Sequence, residues 1–268
     1  MFIKRLGSAV IMLAVTAAAL VLGGNYLLAL VALCSLVAAY ELLKAGGIEK
    51  TPVAFTSYIA IFFIYFLHFL DMSKYENMVL AIAAVSLLGC YVFKNEKTKY
   101  KDVCLGFFAI IYVGFLLTHA YMTRELSHGS WFVWLIIIGS SGSDTFAYLF
   151  GRLFGKKHFS KISPNKTVEG CIGGCLGTAV LSLVYSFFIP TDVNCLFNIN
   201  MHLAFFIIGL LCSAVSQIGD LAASAIKRGY DIKDFSDLIP GHGGVLDRID
   251  SILFVSPFVY YLVILFLK

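Results

Sequence analysis

Long apolar runs separated by short polar breaks repeat along the whole chain. Each run is about 16 to 22 residues, the length at which a helix crosses the hydrocarbon of a bilayer. The pattern predicts nine such helices, at about 8–22, 26–43, 53–70, 78–93, 103–122, 131–150, 170–189, 203–219 and 252–267. No stretch alternates residue by residue as a lipid-facing barrel strand must, and in lipid only helices or closed barrels satisfy the backbone. The expected fold class is therefore all-α: a polytopic integral membrane protein, residues 1–268 forming a single membrane domain with a polar site facing the cytoplasm. The basic start with Lys4 and Arg5 before the first run would also suit a signal peptide. A retained first span fits the charge pattern better.

Composition agrees with this. The chain is 60% hydrophobic and only 13% charged, against roughly 25% charged in soluble domains. The net charge of +4 says less than its distribution. With nine spans the N-terminus and the loops after spans two, four, six and eight share one side. That side carries 17 of the 20 Lys and Arg, leaving Lys74, Arg124 and Lys268 on the other. Cytoplasmic loops hold the excess of Lys and Arg, which puts the basic side in the cytoplasm. The seven cysteines fall mostly in apolar segments, where Cys packs as a small hydrophobe. Cys171 and Cys175 are one helical turn apart, without a further ligand at zinc spacing.

Against this background the stretch from Ser224 to Asp250, SAIKRGYDIKDFSDLIPGHGGVLDRID, stands out as the longest polar run. Ionisable groups at the edge of an apolar bundle are costly and are candidates for function. Upstream, Ser213, Gln217, Asp220, Ser224 and Lys227 recur every three or four residues and form one stripe on a helix. Such a stripe faces protein or water, as a ligand site or as a hydrogen-bonded seam between helices. Downstream, Pro240, Gly241, Gly243 and Gly244 preclude helix and let backbone N–H groups approach an anion, with His242 as a further donor. A plain glycine-rich turn is the simpler alternative. Asp247 and Asp250 share a face of the next helix, with Arg248 beside them. Mg²⁺ is usually held by one or two carboxylates plus phosphate oxygens. Asp220 and Asp247 are the expected pair, with Asp250 in support or capping its helix.

A third group lies around span six. Asp144 and Ser140 are spaced one α-helical turn apart. Asp144 could be a third acid at the site or the partner of a cation on another helix. The lysines of the adjoining loop mark the cytoplasmic side or attract anionic lipid. In SPNKT, residues Ser163, Asn165, Lys166 and Thr167 combine turn formers, donors and a cation just before a helix start. Helix N-termini bind phosphate, though Ser163 or Thr167 could simply be the N-cap. Carboxylates, cations and glycine-rich backbone together suit phosphoryl or nucleotidyl transfer better than ion conduction. No GxxxxGK[ST] motif is present.

The segments SAIKR, KDFS and IPGHGGVLDRID resemble the signature of the phosphatidate cytidylyltransferases, also called CDP-diacylglycerol synthases. The SPNKTVEG and DTFAYLFGRLFGK segments are similar to that family too, so the likeness covers the C-terminal half, while the N-terminal half shares its hydropathy pattern. One departure is Ala223, where many members carry an acid. The resemblance implies transfer of CMP from CTP to phosphatidate, with release of pyrophosphate. It implies Mg²⁺ on Asp220 and Asp247, with Asp250 and Asp144 as further candidates for the ion. Asp220, Asp247, Lys227 and Arg248 become the expected catalytic residues. Ser163, Asn165, Lys166, Thr167, Ser224, Arg228, Lys233, His242, Gly243 and Gly244 become the expected substrate contacts. Residues 1–122 would then be N-terminal helices and 123–268 the catalytic helices and loops. Membrane lipid and a second copy of the chain are the expected partners, without nucleic acid. A CTP-dependent lipid or polyprenol kinase would use similar parts on the γ-phosphate. A transporter would show repeated halves and charges near the midplane, and neither pattern is visible.

A reporter fused after Lys268 should signal from the side opposite the cytoplasm. A cytoplasmic signal there would refute nine spans.

Overall fold

The computed structural model describes residues 2–93, 98–158, 163, 166–190, 193, 195 and 200–267, with 2–6 as backbone alone. The described chain is almost entirely helical, and its extended pairings are isolated bridges. The helices are α1 (Phe2–Leu22), α2 (Gly24–Ala45), α3 (Pro52–Phe69), α4 (Glu76–Phe93), α5 (Tyr100–Glu125), α6 (Gly129–Phe154), α7 (Val168–Ser186), α8 (Met201–Gly229) and α9 (Leu246–Phe266). Eight are long and apolar enough to cross a membrane among the described residues, and α1 adds a shorter apolar stretch, Gly7–Leu22. The protein is an all-α polytopic membrane protein, as the hydropathy pattern predicts.

The chain forms two compact units. The first holds Met1–Tyr121 and Gly229–Ile249, the second Met122–Arg228 and Asp250–Lys268. In the first, α3 packs against α2, α4 and α5. Its start is set by local chemistry: Pro52 fills the first helical position, where its missing N–H costs nothing, and Thr51 Oγ1 accepts from Ala54 N at 3.4 Å. Buried hydroxyls tie these helices together. Ser35 Oγ donates to the Val113 carbonyl, and Ser57 Oγ to the Gly106 carbonyl at 3.1 Å. Across one end of the unit, His68 of α3 meets Glu76 of α4 with nitrogen and oxygen 3.6 Å apart.

The second unit is built on close helix approach. Gly170, Gly173, Gly174 and Gly177 line one face of α7 at helical spacing. A Cβ on Gly173 would come within 2.3 Å of Phe150, and one on Gly177 within 2.4 Å of Phe146. In lipid, helices associate through such small-residue faces and through polar links. The polar link is Ser143 of α6, whose Oγ accepts from Ser213 Oγ of α8 at 2.8 Å.

Two departures from the expected elements matter for the site. Helix α8 does not stop at residue 219 but continues through Asp220 to Gly229. The whole 213–227 stripe therefore stands on one helix. Helix α6 contains a π-helical turn, Ile138–Gly142, which ends two residues before Asp144. Ser140 lies in that turn and is buried, whereas Asp144 is exposed. The wider turn shifts the register of the rest of α6.

Candidate active site

The stripe on α8 divides in two. Its inner part is a seam. Ser213 bonds to Ser143, and Gln217 Nε2 donates to the Cys171 carbonyl at 3.0 Å and to Cys175 Sγ at 3.4 Å. Cys171 and Cys175 thus serve helix packing. Further along, Asp220 forms an ion pair with Lys166 from the loop before α7. Both side chains are largely buried, at 28% and 19% exposure. Asp250 of α9 lies within electrostatic reach of Asp220, Lys227 and Asp144. Ser224 is half-buried on the same helix as Asp220. The second unit thus gathers Asp144, Lys166, Asp220, Lys227 and Asp250.

The SPNKT loop is shaped by its own chain. Thr167 Oγ1 accepts from Gly170 N at 3.1 Å and caps α7, so the simpler expectation for Thr167 holds. Glu169 Oε2 accepts from Lys156 N and Lys157 N at 3.0 and 3.3 Å, and Val168 N donates to the Lys157 carbonyl. These bonds hold Lys156 and Lys157 against the start of α7. A cavity of about 370 Å³ opens there, lined by Asp144, Tyr148, Arg152, Ser163, Lys166 and Thr167 among others. Asn165 lies outside the described residues.

In the first unit, residues 230–245 form a compact loop. Gly241, at φ 78°, comes directly after Pro240, and His242 N donates to the Ile239 carbonyl at 2.9 Å. Pro then Gly at the two central positions is the chemistry of a type II turn. Gly243 is also left-handed, at φ 80°. His242 Nδ1 is 2.9 Å from Ser8 Oγ of α1. Lys233, Asp234, Asp237, His242, Gly243 and Arg248 line a cavity of about 450 Å³. Partial burial, then the Asp102 carboxylate, pushes the Tyr230 phenol above its ordinary range.

One expectation needs correction here. The N–H groups after the glycines do not wait for an outside anion. Gly244 N donates to Asp247 Oδ2 at 3.0 Å, and the same oxygen accepts from Phe235 N at 2.9 Å. Val245 N and Leu246 N donate to Glu41 of α2 at 3.0 and 2.8 Å. Buried N–H groups at a helix start need acceptors, and two of the protein's own carboxylates supply them. Gly244 is thus a loop-forming residue whose N–H is already in use.

Among the described residues, no three His, Cys, Asp or Glu side chains are gathered closely enough to hold a metal alone. The donor chemistry nevertheless suits Mg²⁺, which takes one or two carboxylates and completes its shell with phosphate and water. In the second unit the Lys166 ammonium already stands beside Asp220 as a cation. The sequence pattern does not single out Glu41, Ser8 or Glu169. Glu41 carries a usable signal all the same, being an ionisable residue inside an apolar helix.

A family model described as "Cytidylyltransferase family" matches residues 3–266. The phosphatidate cytidylyltransferase of Staphylococcus haemolyticus is 33% identical over 261 residues, covering 96% of this chain and 97% of its own. That of Bacillus subtilis is 35% identical over 201 residues, 74% of this chain and 72% of its own. That of Staphylococcus saprophyticus is 38% identical over 179 residues, covering 66% and 65%. The chain belongs to the cytidylyltransferase family.

The Lys166–Asp220 pair invites a double-mutant cycle. Lys166→Met and Asp220→Asn should each lower the Tm of the purified protein. The double variant should recover part of the loss, with a coupling of about 0.5–3 kcal/mol. Strict additivity would mean the pair contributes nothing to stability.

Proposed function

We propose that this chain is a phosphatidate cytidylyltransferase, transferring CMP from CTP to phosphatidate to give CDP-diacylglycerol and pyrophosphate. The observation that carries this reading is the family match along nearly the whole chain, joined to a cavity whose lining includes Lys166 and Arg152 beside an Asp220 ion pair. CTP and phosphatidate are the proposed substrates. The active side faces the cytoplasm, as the Lys and Arg excess implies. Likeness to the family supports a homodimer.

The reaction is set by charge. Phosphatidate carries a phosphate monoester whose second pKa is near 6, so it is mostly a dianion at neutral pH. One of its oxygens forms a bond to the α-phosphorus of CTP while the bond to the α–β bridging oxygen breaks. Pyrophosphate leaves with that electron pair. No proton has to be removed from the nucleophile, so no general base is required. The obstacle is the approach of one anion to another. Within the second unit, Lys166 and Lys227 would offset that charge and the charge on departing pyrophosphate, and within the first, Lys233 and Arg248 are the candidate phosphate contacts. Arg228, at the end of α8, adds to the same field. Mg²⁺ is the proposed cofactor, with Asp220 as its candidate ligand in the second unit and Asp247 in the first. Asp250 and Asp144 are supporting acids. When bound, the ion would neutralise phosphate oxygens. The acyl chains remain in lipid while the head group enters from the membrane side.

Purified protein given CTP labelled in the cytidine ring, phosphatidate and Mg²⁺ should place label in the lipid and release pyrophosphate. Transfer of γ-label instead would favour a lipid kinase. In the same assay Asp247→Asn should lose most turnover, by about a hundredfold or more, while remaining in the membrane. Lys166→Ala should raise the CTP concentration needed for half-maximal rate. Unchanged nucleotide dependence would return Lys166 to a structural role.

A further inference from the structure

The glycine loop is held by a residue some two hundred positions earlier. Glu41, near the C-terminal end of α2, is 1% exposed. Its Oε1 accepts from Ser236 Oγ at 2.5 Å and from Val245 N at 3.0 Å. Its Oε2 accepts from Leu246 N at 2.8 Å. Three donors converge on one carboxylate, and two are backbone groups at the start of α9. A carboxylate there satisfies N–H groups that have no partner within the helix and meets the positive end of its dipole. Hydrogen bonds to an ionised acceptor are shorter and stronger than neutral ones.

The neighbours show that this contact is built in. Ala38, Ala39, Leu42 and Leu43 around Glu41 are each 0% exposed, so the acid projects from a tightly packed segment. On the loop side, a Cβ on Gly244 would come within 2.6 Å of Glu41 Oε2. A side chain at Gly244 would press on the carboxylate that Ser236, Val245 and Leu246 hold in place. The loop leads into Asp247 in the first turn of α9, whose carboxylate accepts from Gly244 N and Phe235 N, and Arg248 is the next residue.

We propose that Glu41 is a positioning residue for the reaction: a carboxylate supplied by α2 that caps α9 and fixes the loop presenting Asp247 and Arg248. It acts through the loop and does not touch substrate. The link to turnover rests on the proposed function, while the anchoring itself does not.

The test uses full-length purified protein and two readouts. The first is hydrogen exchange at Val245 and Leu246, measured without substrate. The second is kcat and the KM for CTP. In Glu41→Gln, one of the accepting oxygens becomes an NH₂ group facing donors. Leaving a buried donor unsatisfied shifts equilibria by about tenfold or more. Exchange at Val245 and Leu246 should rise by that factor while α3 amides keep their protection. The kcat should fall by about tenfold or more, with the KM for CTP changed by less than about threefold. Ser236→Ala, which removes one donor and leaves the carboxylate in place, should move both readouts the same way by less. Glu76→Gln removes another buried carboxylate of the same unit and should leave both near their starting values. Unchanged exchange at Val245 and Leu246 in Glu41→Gln would overturn the proposal. So would faster exchange with full turnover, or equal effects in Glu76→Gln. If the unsubstituted chain makes no CDP-lipid, the reading of the reaction fails on its own, and the exchange result still stands apart from it.

Discussion

Charge at the edge of an apolar bundle is the constraint on which the structure turns. A carboxylate or ammonium there must find a partner or stay in water. The protein answers in several ways. Asp220 takes the ammonium of Lys166. Glu169 takes two backbone N–H groups of the basic loop. Asp247 and Glu41 take the N–H groups around the start of α9. Each acid thereby fixes a segment that would otherwise be an irregular loop, and the residues proposed for the reaction lie on or beside those segments.

This arrangement separates two jobs. Apolar helices, joined by glycine faces and buried hydroxyls, supply a frame that requires no charge. Acids at the helix ends convert that frame into fixed loop geometry. Within the first unit, α1 reaches the glycine loop through Ser8, and α2 reaches it through Glu41. The early helices therefore act on a loop encoded much later. That gives the N-terminal half of this unit a part in shaping the site, beyond spanning the membrane.

The helices are legible in the sequence because a span is a local property: about twenty apolar residues announce themselves without reference to the rest of the chain. The stripe from Ser213 to Lys227 is legible for a related reason, since a repeat of three or four residues on one helix needs no partner to be seen. Its division into a seam and a charged end is not, because that depends on Ser143, Cys171 and Lys166 arriving from other elements. The glycines of the 240–244 loop read as permissive, but the pattern points their donors at an outside anion. The acid that takes the next two N–H groups lies in an apolar helix, where nothing local marks its partner. Only the fold brings Glu41 to Val245 and Leu246.

The π-helical turn at Ile138–Gly142 has a consequence for comparing this chain with its relatives. A turn closed by i→i+5 bonds contains one residue more than an α-helical turn. Each residue of an α-helix rotates the chain by about 100°. Removing a single residue from 138–142 would restore regular winding and leave Asp144, Tyr148 and Arg152 on the face that lines the cavity, because the wide turn absorbs the extra residue. A one-residue gap in this short segment is therefore absorbed by the turn, whereas the same gap in the regular part of the helix would rotate every later side chain by about 100°.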